Sequence, residues 1–374
     1  MQRHIDGRDI AGAVTLVARR GQIAYFEAQG LMDIESRKPM PKDAIFPLAS
    51  MSKPVTGVAV LMLLEEGKLR LTDPVSKFIP EFKNLKVAVA KPGPQPTAAT
   101  GRDGAVPFDL VSATREITIR DLLTHTSGLV SGGLGASQAN RIASRSATDT
   151  LASYVPRLAG VPLDFQPGTL WRYSGQAGFD VLSRIVEIAS GQPFDVFLKQ
   201  RLFEPLGMKD TGFAPADASS ARVVTLYRKS DKGLERQNAN LSKTYFSGAA
   251  GLMSTAEDYL QLAQMLVNGG QLNGKRFLGT RTVELMSSNH VGELFEGQLG
   301  IAHGMGFGLS VQVALDPVMA GLRESKGAYG WRGAYGTHVS IEPQEKMVSL
   351  MMISTSDTLV RWDFENAVRQ ALVE

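Results

Sequence analysis

The spacing of apolar residues predicts strands at both ends of the chain. Residues 13–18 and 22–26 are strand-like segments joined by Arg20-Gly21, which favours a β-hairpin. Near the other end, a period of two returns in three segments, 307–314, 338–341 and 348–353. An amphipathic segment, 360–372, follows them and predicts a closing helix.

A helical period dominates the middle of the chain. It extends from residue 119 to about residue 207, and it is clear in segment 179–188, which Gly191 ends. Two further helices are predicted at residues 255–267 and 281–286. Residues 86–116 are rich in Pro, Gly and Ala, which predicts a long surface excursion rather than a domain linker.

Strands from both chain ends, with helices between them, imply one sheet assembled from distant segments. The expected fold class is therefore α/β, of the α+β type, with a mainly helical domain inserted into a discontinuous sheet domain. Residues 1–68 and 240–374 would form the sheet domain, and residues 69–239 the inserted domain. A functional site is expected in the cleft between them.

The composition narrows the functional classes. The chain has 374 residues, of which 43% are hydrophobic, enough to bury a large core. Its 40 basic and 37 acidic residues are scattered, and no basic run is longer than two residues, as in Arg19-Arg20, so we expect no nucleic-acid or anionic membrane partner. Cysteine is absent, which excludes disulfides and thiol catalysis.

No segment predicts secretion or membrane insertion. Residues 1–6 are polar and lack the apolar core of a signal peptide. The longest apolar runs fall well short of the ~18 residues that a membrane span requires. We therefore expect a cytoplasmic protein.

The most informative chemical signal is Ser50-Met51-Ser52-Lys53, which opens an apolar run that predicts a helix. Side chains three residues apart share one helix face, so Ser50 Oγ and Lys53 Nζ converge near the helix N-terminus. The dipole there favours developing negative charge, and a lysine can act as base for a serine nucleophile. About one S-x-x-K is expected by chance in a chain of this length, and this chain has one.

Tyr173 is the candidate for managing protons beside this pair. It lies in Trp171-Arg172-Tyr173-Ser174-Gly175, a loop from which a side chain can point into a cleft. A lone tyrosine is more often a core residue with its hydroxyl hydrogen-bonded, so from the residues alone both interpretations stay open.

The glycine-rich segment 330–334 precedes a strand pattern, where it could place a backbone N–H at the rim of a site. An ordinary turn entering an edge strand explains the same pattern and is the commoner case for such a segment. If the N–H does face the site, the N–H of Ser50 would supply the other half of an oxyanion hole.

Other catalytic patterns are missing. No G-x-S-x-G occurs, so a nucleophile elbow is unsupported. The histidines show no H-E-x-x-H or comparable spacing, so we expect no metal site, and no cofactor signature is present. His125 lies in a sharp polar turn after an apolar stretch, which favours a structural hydrogen bond over a catalytic role.

Four motifs occur together in an order and spacing that resemble one family. They are ASMSKP at 49–54, LLTHTSGL at 122–129, Tyr173-Ser174, and SGAAGLMST at 247–255. This set is similar to the serine β-lactamase-like superfamily of class C β-lactamases and DD-peptidases, and most like its family VIII carboxylesterases. The resemblance covers nearly the whole chain and implies a β-lactamase-like fold with an antiparallel sheet.

The resemblance also implies roles for the matching residues. Ser50 matches the acylated nucleophile and Lys53 its proton partner. Tyr173 matches the tyrosine of a Y-x-N motif, which acts as general base and returns the proton to the leaving group. Trp331-Arg332-Gly333 occupies the place of the third motif, K-T-G, so the N–H groups of Ser50 and Ala334 would form the oxyanion hole.

Two departures from the β-lactamase pattern favour an esterase. Gly175 stands where β-lactamases carry the Asn that engages the lactam side-chain amide, and Trp331 stands where they carry the Lys that helps hold the substrate carboxylate. A site without these polar contacts loses discrimination for such substrates. In the esterase branch W-x-G replaces K-T-G and the rim is apolar.

Arg332 differs from the Gly that usually follows this Trp. Strand alternation predicts that its side chain turns away from Trp331, as a structural or rim charge.

The expected function is hydrolysis of short- to medium-chain carboxylic esters through an acyl-enzyme on Ser50, with a small-molecule ester as the partner. The alternatives are an acyltransferase of the same fold, a weak β-lactamase or amide hydrolase, and a non-catalytic binding protein. The complete set of Ser50, Lys53 and Tyr173 argues against the binding protein. The sequence carries no signal for an oligomeric state.

Overall fold

Both ends of the chain contribute strands to one antiparallel sheet. The computed structural model describes residues 1–91, 106–215, 217–238, 242–300 and 303–373. The strands of these residues are β1 Gly12–Arg19, β2 Gln22–Asp33, β3 Lys38–Pro39, β4 Phe46–Pro47, β5 Lys86–Ala90, β6 Phe108–Ser112, β7 Leu226–Ser230, β8 Gly233–Gln237, β9 Met253–Ser254, β10 Gln271–Leu272, β11 Lys275–Arg276, β12 Met305–Phe307, β13 Gln312–Ala314, β14 Tyr329–Arg332, β15 His338–Glu342 and β16 Met347–Ile353. The main sheet has the order β12-β13-β14-β15-β16-β1-β2-β3.

Helices cover this sheet and fill the middle of the chain. The α-helices of the described residues are α1 Gln2–Asp6, α2 Ser52–Glu65, α3 Ile119–Leu123, α4 Ala139–Ile142, α5 Leu151–Tyr154, α6 Ala177–Ser190, α7 Phe194–Leu198, α8 Glu204–Leu206, α9 Ala256–Val267, α10 Thr280–Met286 and α11 Thr358–Gln370. In these parts of the chain, no helix is long and apolar enough to cross a membrane.

Strand β16 lies in the middle of the sheet and is buried at every position. Its side chains alternate between two apolar clusters, Val348, Leu350 and Met352 in the large core, and Met347, Met351 and Ile353 in a smaller cluster with α11. Helix α9 packs against β16 as well. The strand pairs with β1 in antiparallel register, so this pairing joins the two ends of the chain.

Helix α2 is the buried element that leads into the candidate site. Residues 52–63 are all buried, and the helix packs against α6. The sequence predicted a helix from Ser50, but Ala49–Met51 form a 3₁₀ turn and α2 begins at Ser52. The N–H of Met51 donates to the carbonyl oxygen of Leu48, three residues before it, which is the hydrogen bond of a 3₁₀ turn and not of an α-helix.

Segment 307–314, predicted as strand, contains a reversal. Strands β12 and β13 pair with each other in a tight hairpin, in which Phe307 lies opposite Gln312. Ser310 within the turn has a φ of 73°. A period of two is the same before and after a reversal, so the alternation alone did not reveal the turn.

Residues 69–239 carry most of the short helices, together with two small hairpins, β5–β6 and β7–β8. The predicted excursion at 86–116 begins and ends in β5 and β6, while residues 92–105 lie outside the described residues. Residues 239–241, where the predicted domain boundary falls, also lie outside them. The division into 1–68 with 240–374, and 69–239, therefore stays a proposal.

Candidate active site

Ser50 lies in a turn that the core holds in place. The N–H of Met51 donates to the carbonyl oxygen of Leu48 at 3.1 Å, and the Tyr259 hydroxyl donates to the carbonyl oxygen of Met51 at 2.9 Å. The positive φ of Ala49 adds backbone strain directly before Ser50, and such strain persists only where the surrounding structure enforces it. Ser50 lines a cavity of about 470 Å³.

Lys53 is fully buried, one turn along the chain from Ser50. Its Nζ donates to Ser50 Oγ at 3.2 Å, to the carbonyl oxygen of Gly175 at 2.7 Å and to the carbonyl oxygen of Ala249 at 2.9 Å. An ammonium group has three N–H donors, so each donor of Lys53 has an acceptor. Two of the three acceptors are backbone groups from distant segments, which fixes the position of the nitrogen.

The Tyr173 hydroxyl lies 2.7 Å from Ser50 Oγ, to which it donates a hydrogen bond. Burial raises the pKa of Tyr173, but the positive charge of Lys53 and the hydrogen bond with Ser50 outweigh burial and bring this pKa below its usual value. Lys53 Nζ lies 5.0 Å from the centre of the Tyr173 ring. A tyrosine with a lowered pKa is a better proton acceptor near neutral pH, because more of it is ionised.

Asp180 is a buried acid near Lys53 that the sequence analysis missed. Its carboxylate accepts hydrogen bonds from the hydroxyls of Tyr245 at 2.7 Å and Ser247 at 2.6 Å. Burial raises the pKa of Asp180, although these hydrogen bonds and the charge of Lys53 oppose the rise. Through its hydrogen bond with Ser247, the carboxylate holds the turn that contains Ala249, whose carbonyl oxygen accepts a hydrogen bond from Lys53. The sequence did contain a signal for this residue, because Asp180 is an acid within the apolar pattern of α6.

His125 supports the Tyr173 loop. Its Nδ1 accepts a hydrogen bond from the backbone N–H of Ser174 at 3.2 Å, so the predicted structural hydrogen bond is present. The imidazole packs with its centre 4.6 Å from that of the Tyr173 ring. Burial, together with the charge of Lys53, holds the pKa of His125 well below its usual value, so the ring is neutral.

The loop after β14 approaches the Ser50 turn so closely that position 333 requires glycine. A Cβ on Gly333 would lie 2.2 Å from the carbonyl oxygen of Leu48 and 2.2 Å from Thr337 Oγ1. Thr337 Oγ1 donates to the same Leu48 carbonyl oxygen at 3.1 Å. This contact holds the β14 loop against the residue two before Ser50, and Ala334 lines the same cavity as Ser50.

Two backbone donors at this cavity are free. In the ranges that the structure describes, neither the N–H of Ser50 nor the N–H of Ala334 donates a hydrogen bond within the protein. Free backbone N–H groups at a cavity wall can stabilise an oxygen that gains negative charge.

Trp331 forms an apolar wall beside these groups and is only 4% exposed. Its ring centre lies 5.7 Å from that of Tyr173 and 5.3 Å from that of Phe307, within a cluster that also contains Trp171 and Phe295. The indole therefore packs against the tyrosine and does not project from the rim. Its N–H is buried and has no hydrogen-bond partner among the described residues.

The prediction that Arg332 turns away from Trp331 is wrong. The guanidinium carbon of Arg332 lies 6.0 Å from the centre of the Trp331 ring, and Arg332 lines the same cavity as Ser50. Strand alternation sets the direction of Cβ, but a long flexible side chain can fold back over its neighbour. The attraction between a cation and the face of an indole favours this arrangement.

The structure thus brings all six predicted residues to one cavity. Five line it, namely Ser50, Tyr173, Trp331, Gly333 and Ala334, and Lys53 lies buried beneath it, within hydrogen-bond distance of Ser50. Across the described part of the chain, no group of three or more His, Cys, Asp or Glu residues is arranged to hold a metal ion.

Comparison with known proteins identifies the family. A sequence model of the β-lactamase family matches residues 1–374, and the chain belongs to that family. Protein Rv1367c of Mycobacterium tuberculosis is 34% identical over 361 residues, which cover 92% of this chain and 86% of that protein. Esterase EstB of Burkholderia gladioli is 32% identical over 378 residues, which cover 93% and 87%, respectively.

A solved structure gives the same result for the fold. EstCE1, a hydrolase with promiscuous acyltransferase activity, superposes with a TM-score of 0.81 at 28% identity, over 99% of this chain and 95% of that chain. The predicted superfamily, its likeness to the esterase branch and the β-lactamase-like fold class are therefore confirmed.

Removal of the Lys53 charge is expected to raise the pKa of Tyr173. In Lys53→Met the burial that raises this pKa remains, while the opposing charge is gone. The measurement is a near-ultraviolet titration of tyrosinate absorbance. The curve of the Tyr173→Phe protein is subtracted, with and without Lys53→Met, so that the signal of Tyr173 is separated from the other tyrosines among the eight. We expect the midpoint to move upward. An unchanged or lower midpoint would contradict this electrostatic account, provided that circular dichroism shows a folded variant.

Proposed function

We propose that the protein is a serine hydrolase that cleaves short- to medium-chain carboxylic esters through an acyl-enzyme on Ser50. The observation that carries this proposal is the set of contacts to Ser50 Oγ, 2.7 Å from the Tyr173 hydroxyl and 3.2 Å from Lys53 Nζ. A nucleophile within hydrogen-bond reach of a base, with a third group orienting that base, is the general arrangement for covalent catalysis.

In the first half-reaction, ionised Tyr173 accepts the proton of Ser50 while Ser50 Oγ bonds to the carbonyl carbon of the ester. The carbonyl oxygen becomes an anion that the N–H groups of Ser50 and Ala334 stabilise. The bond to the alcohol oxygen then breaks, and Tyr173 delivers its proton to that oxygen. The alcohol leaves, the acyl group stays on Ser50, and Tyr173 is ionised again.

In the second half-reaction, water replaces the alcohol. Tyr173 takes a proton from the water, whose oxygen bonds to the acyl carbon. Ser50 Oγ then leaves as the bond to the acyl carbon breaks, and it receives the proton from Tyr173. The carboxylic acid is released and the site is restored. Lys53 supports both halves, because its charge favours the ionised form of Tyr173.

The residues at two positions, Gly175 and Trp331, support an ester over a lactam. Gly175 presents no side chain, a Cβ there would have nothing within 4 Å, and its carbonyl oxygen is already bound to Lys53. Trp331 presents an aromatic wall instead of an ammonium group. A cavity of about 470 Å³ suits a small ester. The names of the relatives EstB, an esterase, and EstCE1, a hydrolase, support the same choice.

A second candidate function is acyl transfer to an alcohol. The reaction differs from hydrolysis only in the acceptor of the second half-reaction, and EstCE1 is described as having promiscuous acyltransferase activity. Weak β-lactamase or amide hydrolase activity is a more distant candidate, since it needs the polar contacts that Gly175 and Trp331 do not provide.

Replacement of Ser50 is expected to abolish ester turnover. Wild type, Ser50→Ala and Ser190→Ala are compared on p-nitrophenyl acetate and butyrate, with a chromogenic cephalosporin in parallel. Ser190 ends α6, at the opposite end from Tyr173, so Ser190→Ala is a matched control that keeps wild-type rates. Loss of covalent turnover in Ser50→Ala should reduce the rate by at least ~10³-fold. Retained burst kinetics in Ser50→Ala, or cephalosporin turnover that exceeds ester turnover, would contradict the proposal.

Added alcohol is expected to reveal the balance between hydrolysis and acyl transfer. A short primary alcohol should compete with water for the acyl-enzyme and divert product from acid to a new ester, because both acceptors attack the same acyl carbon. Chromatography of both products at rising alcohol concentration measures the partition. A hydrolase yields mainly acid, and an acyltransferase yields mainly ester with a faster overall rate. An ester product formed equally by Ser50→Ala would show that transfer does not pass through Ser50.

A further inference from the structure

Arg332 is a charged group in the candidate site that the proposed reaction does not use. It ends β14, two residues before Ala334, and it lines the cavity of Ser50 and Tyr173. Its side chain is half-buried, and its guanidinium carbon lies 6.0 Å from the centre of the Trp331 ring. The indole face orients the cation, while the N–H groups at the edge of the guanidinium remain available.

The side chain of Arg332 forms neither an ion pair nor a hydrogen bond within the described ranges, so these N–H groups have no acceptor there. Arg369 is buried and has the anionic partners that Arg332 lacks, because it contacts Glu324 at 3.2 Å and Glu342 at 3.1 Å. Partial removal of a guanidinium from water without such a partner is unfavourable, so the N–H groups of Arg332 are available to an anion that enters the cavity.

The acids around Arg332 are already engaged. Glu365, whose charge acts on Arg332, lies 2.7 Å from His338 Nε2 and 3.4 Å from Arg361. Burial, with the positive charge of Arg361, lowers the pKa of Arg332, although a guanidinium stays protonated in proteins. Glu324 and Asp357, which line the same cavity, pair with Arg369 and Lys229, and none of these acids forms an ion pair with Arg332 among the described residues.

We propose that Arg332 binds a carboxylate carried by the substrate, so that the preferred substrates are esters with a free acid group. The five donors of a guanidinium form a planar fork that matches a carboxylate in bidentate geometry. Arg332 lines the same cavity as Ser50 and Tyr173, so one small substrate can place its ester carbonyl at Ser50 and its acid group at Arg332. Half-esters of short dicarboxylic acids, and esters of hydroxy acids, have this chemistry. The inference rests on the proposed ester hydrolysis and defines its substrate class.

The test compares esters that differ only in this charge. For the acyl side, p-nitrophenyl hydrogen adipate is compared with p-nitrophenyl hexanoate, and for the alcohol side, 3-acetoxybenzoate with phenyl acetate. Wild type, Arg332→Gln and Arg332→Lys are measured, with Arg276→Gln, an exposed arginine on β11, as the matched control. The readout is the ratio of kcat/KM for the acidic ester over its neutral partner.

We expect wild type to favour the acidic member of at least one pair by ~10- to 100-fold. Arg332→Gln should lose this preference mainly through KM, since the contact is the same in ground and transition states. Arg332→Lys should keep part of it, because a point charge remains without the fork. Arg276→Gln should retain the full ratio. The pair that shows the effect identifies the side of the ester that carries the acid.

A wild type that hydrolyses hexanoate without preference for adipate, and phenyl acetate without preference for 3-acetoxybenzoate, would overturn this inference and leave the proposed hydrolase intact. An unchanged ratio in Arg332→Gln would do the same. If no ester is hydrolysed, the proposed function fails, and calorimetric titration of adipate and of 3-hydroxybenzoate decides the remaining question. Binding to wild type that Arg332→Gln loses supports the carboxylate site, and no binding of either acid to wild type overturns it.

Discussion

One buried ammonium group, that of Lys53, determines how the site is assembled. Water does not reach it, so each of its three N–H donors must find an acceptor in the protein. The acceptors belong to three parts of the chain, namely Ser50 before α2, Gly175 before α6 and Ala249 before β9. Leaving any of these donors unpaired is costly, so the cation ties the segments together. The same charge lowers the pKa of Tyr173 and helps to keep His125 neutral.

The sheet supplies the other half of the site from the far end of the chain. Pairing of β1 with β16 brings the C-terminal strands beside the N-terminal hairpin, and β14 then runs toward the Ser50 turn. Gly333 permits a backbone contact with Leu48 that any side chain would prevent. The free N–H of Ala334 therefore lies at the cavity of Ser50 because Gly333 allows the close contact and the strand order places β14 there. No ionisable side chain is involved.

The sequence correctly predicted the features that depend on residues close together in the chain. The limits of α6 and α9 were predicted to within two residues, because their apolar period reflects burial of one face. Ser50 and Lys53 are three residues apart, so their proximity is also local. The place of Tyr173 came from family resemblance, since it lies 123 residues from Ser50. Asp180 was missed because its partner Tyr245 is 65 residues away, and Arg332 was misplaced because its rotamer depends on Trp331.

The central claim is that Ser50 carries the acyl group of the substrate. It is tested most directly by acid quenching the enzyme during turnover of an ester with a bulky, slowly released acyl group, followed by digestion and mass spectrometry of the peptide that contains Ser50. The account predicts a mass increase equal to that acyl group, located on Ser50 and lost once the substrate is exhausted. An acyl group on Lys53 or Tyr173 in its place, or an unmodified Ser50 peptide while the alcohol is released in an initial burst, would contradict the account.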